Sequence, residues 1–173
     1  MSSTCRFSDK DVERIVSALE RILEIEEKRY STEFGRYIDA YGYDVTLKPN
    51  ENKLLFEGIG VGKLVETVAS ITMPDETPPE VQFEVLFDEN FVLDWTCEEY
   101  ENLLGFKPVP GYGGCTIYDP NKKKYAWWTH WGHFGDFRSL IRVWLHNLTD
   151  VEVHVDVWDV QLRLIGTYTI PKG

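Results

Sequence analysis

From Val151 to Leu164 apolar and polar residues alternate one by one, and the alternation changes phase once. Val151, Val153, Val155 and Val157 hold one parity, against Glu152, His154 and Asp156. Trp158, Val160, Leu162 and Leu164 then hold the other. Successive side chains of a strand point to opposite faces, so the segment reads as a half-buried strand. A slip of one residue would turn every side chain over, which places a bulge or tight turn near Trp158–Asp159.

Weaker strand signals recur upstream. Tyr43–Leu47 and Lys53–Glu57 flank Pro49–Asn52 and read as a hairpin. Val81–Phe87 and Phe91–Trp95 read as two strands around Asp88–Asn90. Thr116–Tyr118 and Tyr125–Trp128 flank Asp119–Lys122, a second hairpin signal. Lys63–Met73 is ambiguous: Leu64, Val65, Val68 and Ile71 suit a helix, but its Val, Thr and Ile content favours a strand.

Helical spacing is clearest at the start. Ser8 and Asp11 form a variant capping box, followed by Val12, Ile15, Val16, Leu19, Ile22 and Leu23 on one stripe. A second short helix is expected with Phe34, Tyr37, Ile38 and Tyr41 on one face and Gly42 as its C-cap. Thr96–Glu99 fits a capping box, with Tyr100, Leu103 and Leu104 as the apolar face and Gly105 at the end. Phe137, Leu140, Ile141, Trp144, Leu145 and Leu148 again share a helical face, with Asp136 as N-cap. The expected architecture is α+β. N-terminal amphipathic helices pack on a largely antiparallel sheet, with two further short helices between strands. One domain over residues 1–173 is expected, with residues 1–7 as a flexible tail.

With 43% hydrophobic and 14% aromatic residues, the chain of 173 is too apolar for a disordered one. No apolar run approaches the ~20 residues of a membrane span, and the first residues do not resemble a signal peptide. Cys5, Cys97 and Cys115 lack zinc-ligand spacing and read as free thiols in a reducing cytoplasm. Asn147-Leu148-Thr149 spells a glycosylation sequon, without meaning in a chain that is not secreted.

Charge is distributed unevenly. Between Leu64 and Phe106 there is no Lys or Arg, while eleven carboxylates there match the whole net charge of −11. They are Glu66, Asp75, Glu76, Glu80, Glu84, Asp88, Glu89, Asp94, Glu98, Glu99 and Glu101. Such a block is either a solvated surface or a field that steers a basic partner. On the second reading Asp88, Glu89, Asp94, Glu98, Glu99 and Glu101 supply charge, and Trp95 or Tyr100 anchors the contact. In these bulk properties the chain is similar to small acidic single-domain inhibitors, including immunity proteins that bind toxic nucleases. That is a likeness of composition.

The run Tyr125–Phe137 offers two alternatives. His130, His133 and Asp136 carry donors suited to zinc or another divalent ion, although the spacing is not that of the metalloprotease helix. Trp127, Trp128 and Trp131 offer stacking surfaces for a carbohydrate or other small ligand. In a strand Trp127 and Trp128 would face opposite ways, and the bland reading is a second small aromatic core. A nucleic acid needs a positive groove, which Lys122–Lys124 alone do not supply in so acidic a chain. Cys115 leads into a strand, without the helix N-terminus that activates a thiol nucleophile. The sequence therefore favours a non-enzymatic binding or inhibitor-type module, without cofactor, that meets a basic partner protein through residues 64–106. The alternative is a metal-dependent hydrolase or a small-ligand binder centred on residues 125–137.

Overall fold

A computed structural model describes residues 35–104, 113–132 and 135–171, together with Ser17 and Glu20. Within residues 35–171, nine strands and one helix are described, in order: β1 (Arg36–Leu47), β2 (Asn52–Thr72), β3 (Val81–Phe87), β4 (Asn90–Leu93), α1 (Cys97–Leu104), β5 (Gly113–Asp119), β6 (Lys124–His130), β7 (Asp136–Phe137), β8 (Leu140–Asn147) and β9 (Val153–Thr169). Every pairing is antiparallel, and the main path runs β1-β9-β2-β8-β3-β4.

β2 organises the sheet. One edge pairs with β9 from Glu57 to Thr72. The other edge is shared by β8 near its start, β7 in the middle and β6 near its end. In a flat sheet the aromatics of β3, one strand beyond β8, would lie far from those of β6. Instead Phe83 meets Trp127 at a ring-centroid distance of 6.0 Å, and Phe87 meets Trp131 at 5.7 Å. The sheet therefore folds over into two facing layers, with the core between them.

Glycine makes that fold possible. Gly60 on β2 lies directly opposite Gly166 on β9, with φ of 142° and 153°. A Cβ on either would sit 2.1 Å and 2.0 Å from the carbonyl oxygens of Ile165 and Ile59. No side-chain-bearing residue fits there, and the paired glycines let the two long strands change direction together. Leu47, Phe56, Leu64, Phe83, Trp127, Ile141, Leu145, Val155 and Leu162 are fully enclosed between the layers. Each contributes about 1.5–3 kcal/mol on leaving water.

The phase change in β9 is a bulge. Ser70 pairs with Val157 and Ile71 with Val155, leaving Asp156 as the extra residue. Val153 and Val155 are buried before it; Trp158, Val160, Leu162 and Leu164 after it. The bulge lies two residues ahead of the expected place.

The α+β expectation is corrected: strand accounts for 67% of the described residues, and the fold is mostly antiparallel β-sheet. Of the first expected helix only Ser17 and Glu20 are described, both helical and exposed; its other residues lie outside the described set. The second expected helix is β1. Ile38 and Ala40 alternate into the core, and Gly42 caps nothing but lies under the Trp158 indole, 2.6 Å from where a Cβ would stand. The expected helix from Phe137 is β7 and β8, with Asp136 inside β7 rather than at an N-cap. Ile141, Val143 and Leu145 point inward, and Val143, which the helical stripe leaves out, is fully buried.

The hairpin expected around residues 49–52 is also corrected. Both flanking segments are strands, but β9 lies between β1 and β2, and the connection arches from one layer to the other. Asn147 holds the arch. Its backbone N–H donates to Glu51 O at 2.9 Å, and its buried amide donates to Lys48 O at 2.9 Å and Val151 O at 2.8 Å. The sequon nitrogen is thus fully engaged inside the protein.

Candidate functional site

α1 begins where the sequence places it. Glu99 N–H donates to Thr96 Oγ1 at 3.1 Å, and Thr96 N–H donates to Glu99 Oε2 at 2.8 Å, a reciprocal capping box. Just before it, the Asp94 carboxylate is buried. It accepts the Tyr100 hydroxyl at 2.9 Å, the Trp95 N–H at 2.8 Å and a short bond from the Thr129 hydroxyl of β6. Burial outweighs these donors and pushes the Asp94 carboxyl up to about 6. The network pins the helix to β6 and fixes the direction in which its outer side chains point.

Those side chains line a groove of about 400 Å³ between α1 and the start of β3. Glu80, Glu98 and Glu99 converge on it, with Gln82 and Asn102 as neutral polar groups and Leu148 as an apolar wall. Leu148 is 39% exposed, and its backbone N–H bonds to Glu80 O at 2.9 Å, which fixes the wall to the acidic rim. Three carboxylates around one concavity concentrate negative potential there.

The remaining expected partner-binding residues separate. Asp88 occupies a positive-φ turn position, φ 55°, and accepts Arg138 N–H, Ser139 N–H, Leu140 N–H and the Ser139 hydroxyl. Partial burial works to raise its carboxyl, but the Leu140, Ser139 and Arg138 donors hold it below the usual range. Asp88 and the exposed Glu89 lie beyond the far end of β3, about 26 Å from Glu80 by strand rise. Trp95 is 45% exposed and packs on the buried Tyr100 ring at 5.4 Å. Glu101 is half-buried. Glu84 is buried on the sheet face opposite Phe83, accepting a bond from His146 Nδ1 at 2.6 Å and a short bond from Asn52. The sequence reading missed the convergence of Glu80 and Leu148, because it depends on the pairing of β3 with β8.

The aromatic–histidine run is divided by strand alternation. Trp127 and Trp131 are core residues against Phe83 and Phe87, while Trp128 is half-buried on the opposite, outward face. His130 stands opposite Glu66, and Asp136 stands opposite Lys63 with its carboxylate 3.8 Å from the ammonium. His133 lies outside the described residues. His154 is opposite Thr72, about 20 Å along β2 from the position of His130. Among the described residues no group of three His, Cys, Asp or Glu is arranged to hold a metal ion, and no helix is long and apolar enough to cross a membrane.

No family model matches the chain, and no curated protein matches it.

Proposed function

We propose that the protein is a binding or inhibitor-type module whose acidic groove receives a basic segment of a partner protein. The observation that carries the reading is the convergence of Glu80, Glu98 and Glu99 on one concavity with an exposed leucine beside it. Among the described residues no Lys or Arg forms an ion pair with these three carboxylates, so their field is open to an incoming cation. Attraction of this kind raises association rates, and a leucine wall beside it supplies apolar contact for the stem of a Lys or Arg.

An Arg/Lys-rich peptide, titrated at increasing salt, tests the reading. Glu80→Lys, Glu98→Lys and Glu99→Gln together remove three negative charges and add two positive ones. Gln at 99 keeps the capping acceptor, so α1 remains formed. Affinity for the peptide should fall at least tenfold and lose most of its salt dependence; equal affinity in both proteins at every salt concentration would overturn the proposal.

A second reading, a small-ligand surface, is favoured by one feature of the outward sheet face. Tyr41, Asp159, Val68 and Trp128 lie in one cross-strand row, with Tyr37 and Tyr43 beside Tyr41 on the same strand. The three tyrosines are 53%, 56% and 64% exposed. A carbohydrate panel read by Trp fluorescence tests it: quenching lost in Trp128→Phe supports this face, and no quenching removes it.

A further inference from the structure

Cys97 is the first residue of α1, and Cys115 lies in β5, packed beneath it. Both side chains are buried, and their sulfurs stand 2.6 Å apart, unbridged. Non-bonded heavy atoms rest about 3.5–4.0 Å apart, and a disulfide bond is about 2.05 Å long, so this separation lies nearer to bonding than to contact. An irregularity in β5 sets it up. Cys115 pairs with Trp127 and Ile117 with Ala126, leaving Thr116 as an extra residue that turns Cys115 inward under the helix. The same bulge brings Ile117 O to 3.1 Å from Cys115 Sγ and 3.7 Å from Cys97 Sγ.

We propose that Cys97 and Cys115 form an oxidisable dithiol site whose disulfide ties α1 to the β5–β6 hairpin. The oxidant is a small-molecule disulfide of the glutathione type. The two thiols share a hydrogen bond in which either sulfur can donate, and the Cys115 S–H also reaches Ile117 O. Whichever thiol loses its proton as α1 opens is the attacking thiolate. It opens the oxidant's S–S bond, forms a mixed disulfide and releases one small thiol. The other cysteine, on losing its proton, displaces the second small thiol. One S–S bond forms in the chain as one breaks in the oxidant; two electrons and both thiol protons leave on the two released thiols. Because both sulfurs are buried, exchange proceeds through local opening of α1. The bond closes a loop over residues 98–114 and holds the helix that bears Glu98 and Glu99. It does not depend on what occupies the groove.

The full chain, equilibrated in glutathione buffers of graded oxidised-to-reduced ratio and then trapped by alkylation, tests the site by peptide mapping and melting. The expected result is one intramolecular Cys97–Cys115 link, with Cys5 alkylated. Tm should rise by about 6–12 °C over the reduced protein and return on addition of dithiothreitol. In a Cys5→Ser background Cys115→Ala should show no redox-dependent Tm; should that variant fail to fold, mapping of the unmutated chain still decides. Two alkylatable thiols at the most oxidising ratio, a link to Cys5 or to a second copy, or a link without a gain in Tm would each overturn the proposal.

Discussion

Carboxylates from the same acid-rich stretch meet opposite fates in two parts of the fold. Glu84, Asp88 and Asp94 are taken up by internal donors and accept bonds from His146, from the amides of residues 138–140, and from Tyr100 and Thr129. Glu80, Glu98 and Glu99 instead line the groove beside α1. Formal charge along a chain is thus a poor measure of the charge a partner meets; the nearby donors decide. Asp88 and Asp94 show how finely. Asp88 collects three backbone amides and a hydroxyl at a half-exposed turn, and its carboxyl falls below the usual range. Asp94 receives three donors at a site only 7% exposed, where burial wins and its carboxyl rises to about 6.

The internally bonded group should dominate stability and the group in the groove should hardly affect it. The largest effect is expected for Asp94→Ala, which leaves the Tyr100 and Thr129 hydroxyls only each other as partners and strands the Trp95 N–H. Denaturant unfolding at pH 4.5 should show a loss of about 4 kcal/mol. Next comes the pH dependence. With a folded pKa of about 6 against an ordinary 3.8, the folded state holds an extra proton between those values. The contribution of Asp94 is therefore full below about pH 4 and is lost as pH rises through 6, by about 3 kcal/mol. Asp94→Asn should flatten that fall, and an unchanged pH profile would show that Asp94 is not the titrating group. Asp88 has the opposite sign: its contribution is present above the ordinary carboxyl value and is lost as pH falls through its lowered folded value. Asp88→Ala removes the amide acceptor and leaves alanine at positive φ, for a loss of about 2 kcal/mol at pH 7. Asp88→Gly should recover part of that loss, separating backbone strain from hydrogen bonding. The smallest effect, under about 0.5 kcal/mol, is expected for Glu80→Lys with Glu98→Lys, because both side chains face solvent in the groove.

The parts legible in sequence are those in which one local rule decides. The Thr96–Glu99 capping box, the β3–β4 and β5–β6 turns and the register break in β9 all follow from neighbours within a few residues. β1 and β8 read as helices because both faces of these strands carry large apolar residues. Tyr37, Ile38 and Tyr41, like Leu140, Ile141, Trp144 and Leu145, therefore fall by chance on a 3.6-residue spacing although they belong to opposite strand faces. In β8 only Val143 separates the two patterns. The arch between β1 and β2 resembles a hairpin until Asn147, a hundred residues away, is seen to hold it. At the candidate site Glu98 and Glu99 could be chosen from the capping pattern. The engagement of Asp88 and Asp94 could not, since the Asp88 donors lie on residues 138–140 and one of the Asp94 donors, Thr129, lies on β6.

Everything proposed about function depends on whether the open acids beside α1 do the attracting. Dissociation constants for one Arg/Lys-rich peptide should be measured between 50 and 200 mM salt, roughly the range over which ion-driven binding changes most. The unmodified protein should be compared with the variant carrying Glu80→Lys, Glu98→Lys and Glu99→Gln, both shown to melt alike. A steep weakening with salt in the first, and a weak, nearly flat response in the second, is the predicted result. Two superimposable salt curves would contradict it.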